Sequence, residues 1–182
     1  MDKKTKVAFL NPPFKSEYGK FSRTSRSPSI AKSGTIYYPL WLIYAAAVVE
    51  KEGFPIIFID APAKKLTLNN VLLKLEDFSP NLIVVDTSTP SIENDVNVAI
   101  ELKRKLGNDV FIVLVGTHPS ALPEETLRLG EGYIDAVARG EYDYIIRDLV
   151  YAMEENKDLR TVNGLTFIGR ENNNFINNPP MV

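Results

Sequence analysis

Five short apolar runs recur along this chain, with a helix-length segment between successive members. They fall at Lys6–Leu10, Pro55–Ile59, Asn81–Val85, Val110–Val115 and Ile134–Ala138. Runs of this kind, rich in Val, Ile or Phe, are what strands covered on both faces require. The intervening segments carry helical period instead. Leu40–Glu52 is almost wholly apolar and stops at Gly53, a buried helix closed by a glycine C-terminal cap. Thr67 caps a segment whose Leu68, Val71, Leu72 and Leu75 share one face. Ser91 caps another, with Glu93 and Asp95 in its first turn and Ile92, Val96, Ala99 and Ile100 on a single side. Pro123 followed by Glu124 and Glu125 starts a fourth helix, and Tyr144–Glu155 supplies a fifth. Strand alternating with helix in this way predicts an α/β fold on a doubly wound, parallel, five-stranded sheet.

Two stretches break the alternation. Gly164-Leu-Thr-Phe-Ile-Gly-Arg-Glu-Asn-Asn-Asn-Phe-Ile is a pair of extended runs around a polar turn, which predicts a C-terminal β-hairpin. Asn177-Asn-Pro-Pro-Met-Val then has linker composition, so residues 1–160 read as the α/β domain and 161–182 as hairpin and linker. The other stretch is the long connection over residues 13–38. It holds Lys15, Lys20, Arg23, Arg26 and Lys32 against one acid, Glu17, and shows no helical period. A connection of that length in a compact domain is functional or disordered. Its basic residues read by default as a solvated face.

Composition narrows the chemistry. Among 182 residues there is no Cys and one His, so thiol nucleophiles, Cys-ligated zinc, disulfides and Cys-held iron–sulfur clusters are excluded within this sequence. A net charge of −2 offers no global footprint for nucleic acid or an anionic membrane. The most apolar run, Leu40–Val49, is half the roughly 20 residues needed to span a bilayer. It also starts too far along the chain for a signal peptide, so a cytoplasmic location is expected. No residue is assigned a catalytic or metal-ligating role.

Ligands of open parallel sheets bind beyond the C-terminal ends of the strands. Those loops are Asn11-Pro12-Pro13, Asp60-Ala-Pro-Ala, Asp86-Thr87-Ser88-Thr89-Pro90, Gly116-Thr117-His118-Pro119-Ser120 and Arg139-Gly140-Glu141-Tyr142. Hydroxyls, glycines and prolines dominate, a rim suited to a large neutral ligand with many amides. A dinucleotide fold needs Gly-x-Gly-x-x-Gly after the first strand, and two prolines there remove backbone donors instead. No Walker-type Gly-Lys-Ser/Thr occurs, nor a flavodoxin phosphate loop. A phosphorylated receiver shares the layout but needs paired acids after the first strand and a Lys after the fifth. Asn11 and Arg139 stand there, with Asp86 as the one suitably placed acid.

Val7-Ala-Phe-Leu-Asn-Pro-Pro and Tyr38-Pro-Leu-Trp-Leu-Ile-Tyr-Ala-Ala-Ala-Val-Val-Glu-Lys-Glu-Gly resemble the opening of the cobalamin (vitamin B12)-binding domains that precede radical-SAM domains. Asp86-Thr-Ser-Thr-Pro-Ser, Val115-Gly-Thr-His-Pro-Ser-Ala-Leu-Pro-Glu-Glu and Val137-Ala-Arg-Gly-Glu-Tyr-Asp match later landmarks in order. The Gly164–Pro180 tail is similar to the hairpin and linker that enter the radical-SAM barrel. The resemblance covers essentially the whole chain. It implies a flavodoxin-like (Rossmann-like) sheet with a corrin over its C-terminal edge and the nucleotide tail threaded beside the strands. It further implies cofactor contacts from Thr87, Ser88 and Thr89 to tail or corrin amides, and a close backbone approach at Gly116 and Thr117 and at Gly140 beside Glu141. Asn11 and Pro12 would border the corrin.

One departure matters. Mutase-type cobalamin domains carry Asp-x-His-x-x-Gly after the first strand, and no His stands there, so cobalamin is expected base-off without a histidine ligand from that loop. His118 matches a Gly-x-His-Pro landmark and joins the cofactor-binding set on that ground, although by itself it reads as a polar cap on its loop. Trp41 and Tyr44 read as core, Tyr37 and Tyr38 as interior packing, and Glu124 and Glu125 as charges serving a helix N-terminus. The expectation is therefore a cobalamin-binding module whose partner is a radical-SAM domain of the same polypeptide. That domain would bring the 4Fe-4S cluster and S-adenosylmethionine for methyl transfer or related radical chemistry. The missing cysteines then mark where this sequence stops short of that domain. Two alternatives stay open: a scaffold or substrate-docking domain that keeps the fold without cofactor, and the receiver.

Overall fold

The computed structural model describes residues 4–14, 20–23, 29–169 and 174–181. In chain order the elements are β1 (Val7–Asn11), β2 (Lys20–Ser22), β3 (Ser29–Ala31), α1 (Leu40–Lys51), β4 (Ile56–Asp60), α2 (Ala61–Lys64), α3 (Leu68–Phe78) and β5 (Leu82–Thr87). They continue with α4 (Ile92–Leu106), β6 (Phe111–Gly116), α5 (Thr117–Ala121), α6 (Pro123–Leu129), β7 (Ala136–Ala138), α7 (Asp143–Glu154), β8 (Leu165–Ile168) and β9 (Phe175–Asn177). All five apolar runs are strands. They pair in parallel in the order β4-β1-β5-β6-β7, with Phe9 opposite Phe58 and Val84, and Val84 opposite Val113.

The predicted hairpin forms and also extends the sheet. β8 lies antiparallel to β7, with Ala136 opposite Phe167, and β9 lies antiparallel to β8, so the sheet has seven strands. Val7, Phe9, Val84, Val113, Val115 and Ala136 pack against Leu42, Ala45 and Val49 of α1 and Ile145, Ile146 and Leu149 of α7. The opposite face, with Ala8, Leu10, Ile83, Val85, Ile112 and Leu114, meets α3, α4 and α6 through Leu75, Ala99, Leu102 and Leu127. This alternation along each strand is why every residue of β1 and β5 is buried. α1 and α7 thus share one face and both begin at the C-terminal edge, which leaves a crevice between their first turns.

The helix signals hold where a cap does the work. Thr67 accepts from the Asn70 backbone N–H, and Asn70 accepts in return from that of Thr67, a reciprocal capping box. Gly53 follows α1 with a φ of +82° and donates to the Glu50 carbonyl, as the C-terminal glycine signal predicts. Ser91 corrects its expectation. It stands at the start of α4 but makes no side-chain cap, because its hydroxyl is bonded to Asp95 at 2.6 Å and to Ser88. Two loops prove to be single helical turns, α2 and α5, each with a proline inside its first three residues where helices accept one.

The long connection is not wholly irregular either. β2 and β3 form an antiparallel ribbon, and the ribbon is tied to the segment leading into α1 by the Tyr37 N–H donating to Ser22 Oγ at 3.0 Å. Lys15, Glu17, Arg26 and the hairpin turn at 170–173 lie outside the described residues. Among the described residues no helix is long and apolar enough to cross a membrane.

Candidate functional site

The crevice between α1 and α7 opens into a cleft of about 780 Å³ at the C-terminal edge of β5, β6 and β7. Asp86 and Thr87 from β5 line it, together with Gly116 at the end of β6, Thr117 and Ser120 in α5, and Gly140, Glu141 and Tyr142 after β7. The other side is Tyr37, Tyr38, Pro39, Leu40 and Trp41, with Arg23 from the ribbon. Five of the ten sequence-predicted contacts therefore meet in one cavity: Thr87, Gly116, Thr117, Gly140 and Glu141.

Local structure explains how they come together. Gly116 has φ +113°, and a Cβ there would stand 2.1 Å from the Thr87 carbonyl oxygen, so only glycine lets β6 end against β5. Ser120 then bridges two loops: its hydroxyl donates to the Gly116 carbonyl at 2.6 Å and accepts from the Gly140 N–H at 2.9 Å. Gly140 has φ +84°, and the position of its absent Cβ is open space, which leaves its backbone accessible from the cleft.

The other five predicted contacts do not line the cavity. Asn11 is buried, its amide donating to Asp60 at 2.9 Å and its carbonyl accepting from Arg23 at 2.8 Å. Pro12 gives its carbonyl oxygen to the same arginine. Ser88 is buried against Ser91, and Thr89 is exposed at the start of a short 3-10 turn. His118 is buried in α5, with Nε2 3.8 Å from Glu125 and without a hydrogen bond among the described residues. Glu124 and Glu125 occupy the first turn of α6 as expected.

The expectations for four aromatic residues are overturned. Trp41 is 47% and Tyr44 48% exposed, and they meet edge to face outside the core. Tyr37 and Tyr38 are more than half exposed. All four fall on the outward side of α1 or its approach, because the inward positions are taken by Leu42, Ala45, Ala46 and Val49. Arg23 is corrected in the opposite sense. Rather than facing solvent it is buried, donating to Asp95, Asn11 and Pro12 and flanked by the rings of Phe14 and Phe21.

The electrostatics of the floor are unusual. Burial pushes the Asp86 carboxyl up to about 8, against the pull of Arg23 and helped by repulsion from Asp95 and Asp60. A carboxyl held toward its neutral form is the reverse of the ionised nucleophile that a phosphorylated receiver needs. The Tyr142 phenol is also raised, by burial first and then by Asp86 and Asp143. The hydroxyls of Thr87 and Tyr142 are buried without a hydrogen-bond partner among the described residues. Orphaned polar atoms of this kind are rare in native folds and call for a ligand or ordered water.

Comparison with known proteins adds the following. A family model described as a B12 binding domain matches residues 26–150. An uncharacterized methyltransferase of Pyrococcus horikoshii is 32% identical over 147 residues, covering 81% of this chain and 31% of that protein. The anaerobic magnesium-protoporphyrin IX monomethyl ester cyclase of Rubrivivax gelatinosus is 26% identical over 133 residues, 71% of this chain and 24% of the cyclase. The chain thus spans less than a third of the length of these relatives. The solved structure of the cobalamin-dependent S-adenosylmethionine radical enzyme OxsB, with aqua-cobalamin and S-adenosylmethionine bound, shares the fold with a TM-score of 0.78 at 17% identity. It covers 99% of this chain and 23% of that one. The radical S-adenosylmethionine methyltransferase TsrM from Kitasatospora setae, with tryptophan substrate and a SAM analog bound, gives a TM-score of 0.73 at 18% identity, covering 97% and 30%.

Proposed function

The chain belongs to the B12 binding domain family, and on that premise we propose that the cleft between α1 and α7 holds cobalamin, base-off, for a radical-SAM domain in the same polypeptide. The observation that carries this reading is the cleft floor. Thr87 and Tyr142 present buried hydroxyls without partners among the described residues, and Gly140 leaves its backbone open, all at one strand edge. These features fit a large ligand rich in amides, since they offer hydrogen bonds without a fixed charge at the centre.

Each wall has a separate task. Thr87 and Tyr142 satisfy ligand polar groups, Gly116 lets the two strand ends close together, and Ser120 fixes the spacing of the β6 and β7 loops. Tyr37, Tyr38 and Trp41 give an apolar rim that excludes water from one side of the ligand. Bound cobalamin supplies the cobalt chemistry of methyl transfer or a related radical step, and the chain's residues supply binding and orientation. No His stands after β1, so that loop offers cobalt no imidazole.

The relatives supporting the radical-SAM context are named as a methyltransferase and a cyclase, and the solved neighbours as radical S-adenosylmethionine proteins. The test is retention of colour. Protein mixed with hydroxocobalamin and passed through gel filtration is expected to elute with the corrin spectrum at one cofactor per chain. A colourless protein peak overturns the cofactor role and leaves a scaffold domain with the same fold.

A further inference from the structure

Asp86 is a buried acid at the cleft floor whose carboxyl accepts from the Thr87 backbone N–H, a contact that favours its ionised form but is outweighed by burial. Its carboxyl lies beside Gly116, where a Cβ would approach Oδ1 to 3.2 Å, and it lines the cleft at 6% exposure. The nearby cation does not neutralise it by direct contact. Arg23 gives its hydrogen bonds to Asp95, Asn11 and Pro12, so Asp86 feels only its field. The two polar groups sharing the floor, the Thr87 and Tyr142 hydroxyls, lack partners among the described residues.

Resting on the assignment of the cleft to cobalamin, we propose that Asp86 is a specificity-determining residue whose buried carboxyl donates a hydrogen bond to an uncharged acceptor of the bound ligand. Thr87 and Tyr142 complete a floor of three hydroxyl donors that can also accept. The charged and titratable groups around Asp86 are Arg23 after β2, Asp95 on α4, Asp60 at the end of β4 and Tyr142 ahead of α7. Glu141 and Asp143 lie at the cleft wall. Arg23 and Asp95 are paired to each other, and burial outweighs what remains, which keeps the proton on Asp86 at neutral pH. Ionisation would turn the donor into a buried carboxylate facing a ligand acceptor, so affinity should fall as pH passes about 8.

The experiment is equilibrium dialysis of the full chain against methylcobalamin in the dark from pH 6 to 9.5, a range in which that probe does not itself titrate. Wild type should bind with constant affinity to pH 7 and then lose affinity above about 8, approaching tenfold per unit. Asp86→Asn keeps a donor without a titration, so its affinity should no longer change with pH. Asp86→Leu should bind at least tenfold more weakly than wild type at pH 7 and show no fall in affinity above pH 8. A second readout needs no variant: the infrared band of a protonated carboxyl should be present at pH 7 and shift when methylcobalamin is added. Methylcobinamide, which lacks the nucleotide tail, locates the acceptor. A pH dependence that persists places it on the corrin amides, and one that vanishes places it on the tail. Wild-type binding that is flat to pH 9.5, or an Asp86→Asn profile that falls like wild type, overturns the role of Asp86 alone. Wild type that holds no methylcobalamin at any pH overturns the cofactor assignment and this role with it.

Discussion

Arg23 and Asp95, 72 positions apart, meet in a two-pronged ion pair with both side chains shielded from solvent, Nε to Oδ2 at 2.8 Å and Nη2 to Oδ1 at 2.5 Å. The pair ties the ribbon that follows β1 to the first turn of α4. Asn94 reinforces it, donating to Asp95 and to the Pro13 carbonyl at 2.9 Å each. Removing one charge leaves the other buried, which typically costs about 3–5 kcal/mol, whereas apolar replacement of both is far milder. Arg23→Met should therefore destabilise the protein by that amount, and Arg23→Met combined with Asp95→Leu should recover much of the loss. Urea denaturation checks both, and hydrogen exchange should show the Tyr37 amide losing protection in the single variant. Equal stability of Arg23→Met and wild type would refute the latch.

Asp86 makes the folded chain less stable as pH rises. Its carboxyl sits at about 8 in the folded chain against an ordinary 3.8, so the folded state keeps a proton that the unfolded state releases. The associated stability is complete below about 3.8 and is lost progressively as pH rises to about 8. Without cofactor, Asp86→Asn should gain on wild type across that window, reaching a few kcal/mol at its upper end on the scale of ~1.4 kcal/mol per pKa unit. Urea midpoints at pH 5, 6.5 and 8 measure the divergence. Parallel profiles would show that Asp86 ionises normally.

Gly116→Ala combines a left-handed backbone with a contact of 2.1 Å to the Thr87 carbonyl oxygen. Backbone is the obstacle, so no side-chain rotation relieves it. The loss should exceed ~1 kcal/mol, with a matching drop in Tm and weaker retention of cobalamin as the two strand ends part.

Trp41, the one tryptophan of the chain, stands at the cleft rim and is 47% exposed. Its emission should be quenched in proportion to bound cobalamin, saturating at one cofactor per chain. Cofactor that co-elutes with unquenched protein would be bound somewhere else.

Asn178 holds the segment after β9. Its buried side-chain amide donates to the carbonyls of Leu159 and Val162 at 2.7 Å each, and its own carbonyl accepts from Arg139. Asn178→Ala leaves these carbonyls without that donor and should cost about 1–3 kcal/mol, read by denaturation together with faster exchange in β8 and β9.

What the sequence disclosed follows the range of the forces involved. Val7–Leu10 and Leu82–Val85 announce strands because burial on both faces demands apolar side chains at every position. Thr67 announces a helix because its partner, Asn70, is three residues away. The cleft floor was half legible: the loops at 87, 116 and 140 were named because strand ends collect ligands whatever the details. The burial of Arg23 was not, since it depends on Asp95 and on two phenylalanines brought in by tertiary folding. Locally, a cation among serines and glycines looks solvated. Trp41 and Tyr44 misled for a related reason. In a helix apolar on nearly every side, composition does not reveal which side faces the sheet. Asp86 could be named as a rim acid, but its proton affinity arises from its burial, with Asp95 and Asp60 adding to it and Arg23 opposing, none of which a local stretch of sequence displays.

The antiparallel turn-back after α7 has a consequence for how this sheet meets other chains. β7 is three residues long and would otherwise leave its outer backbone groups open to pairing with a foreign strand. β8 covers it, and β9 becomes the new border of the sheet. That border runs straight into Asn178-Pro179-Pro180, and neither proline has an N–H to recruit a further strand. The hairpin therefore acts as a selvedge on this side of the sheet: a three-residue border running into two prolines offers a foreign strand little backbone to pair with.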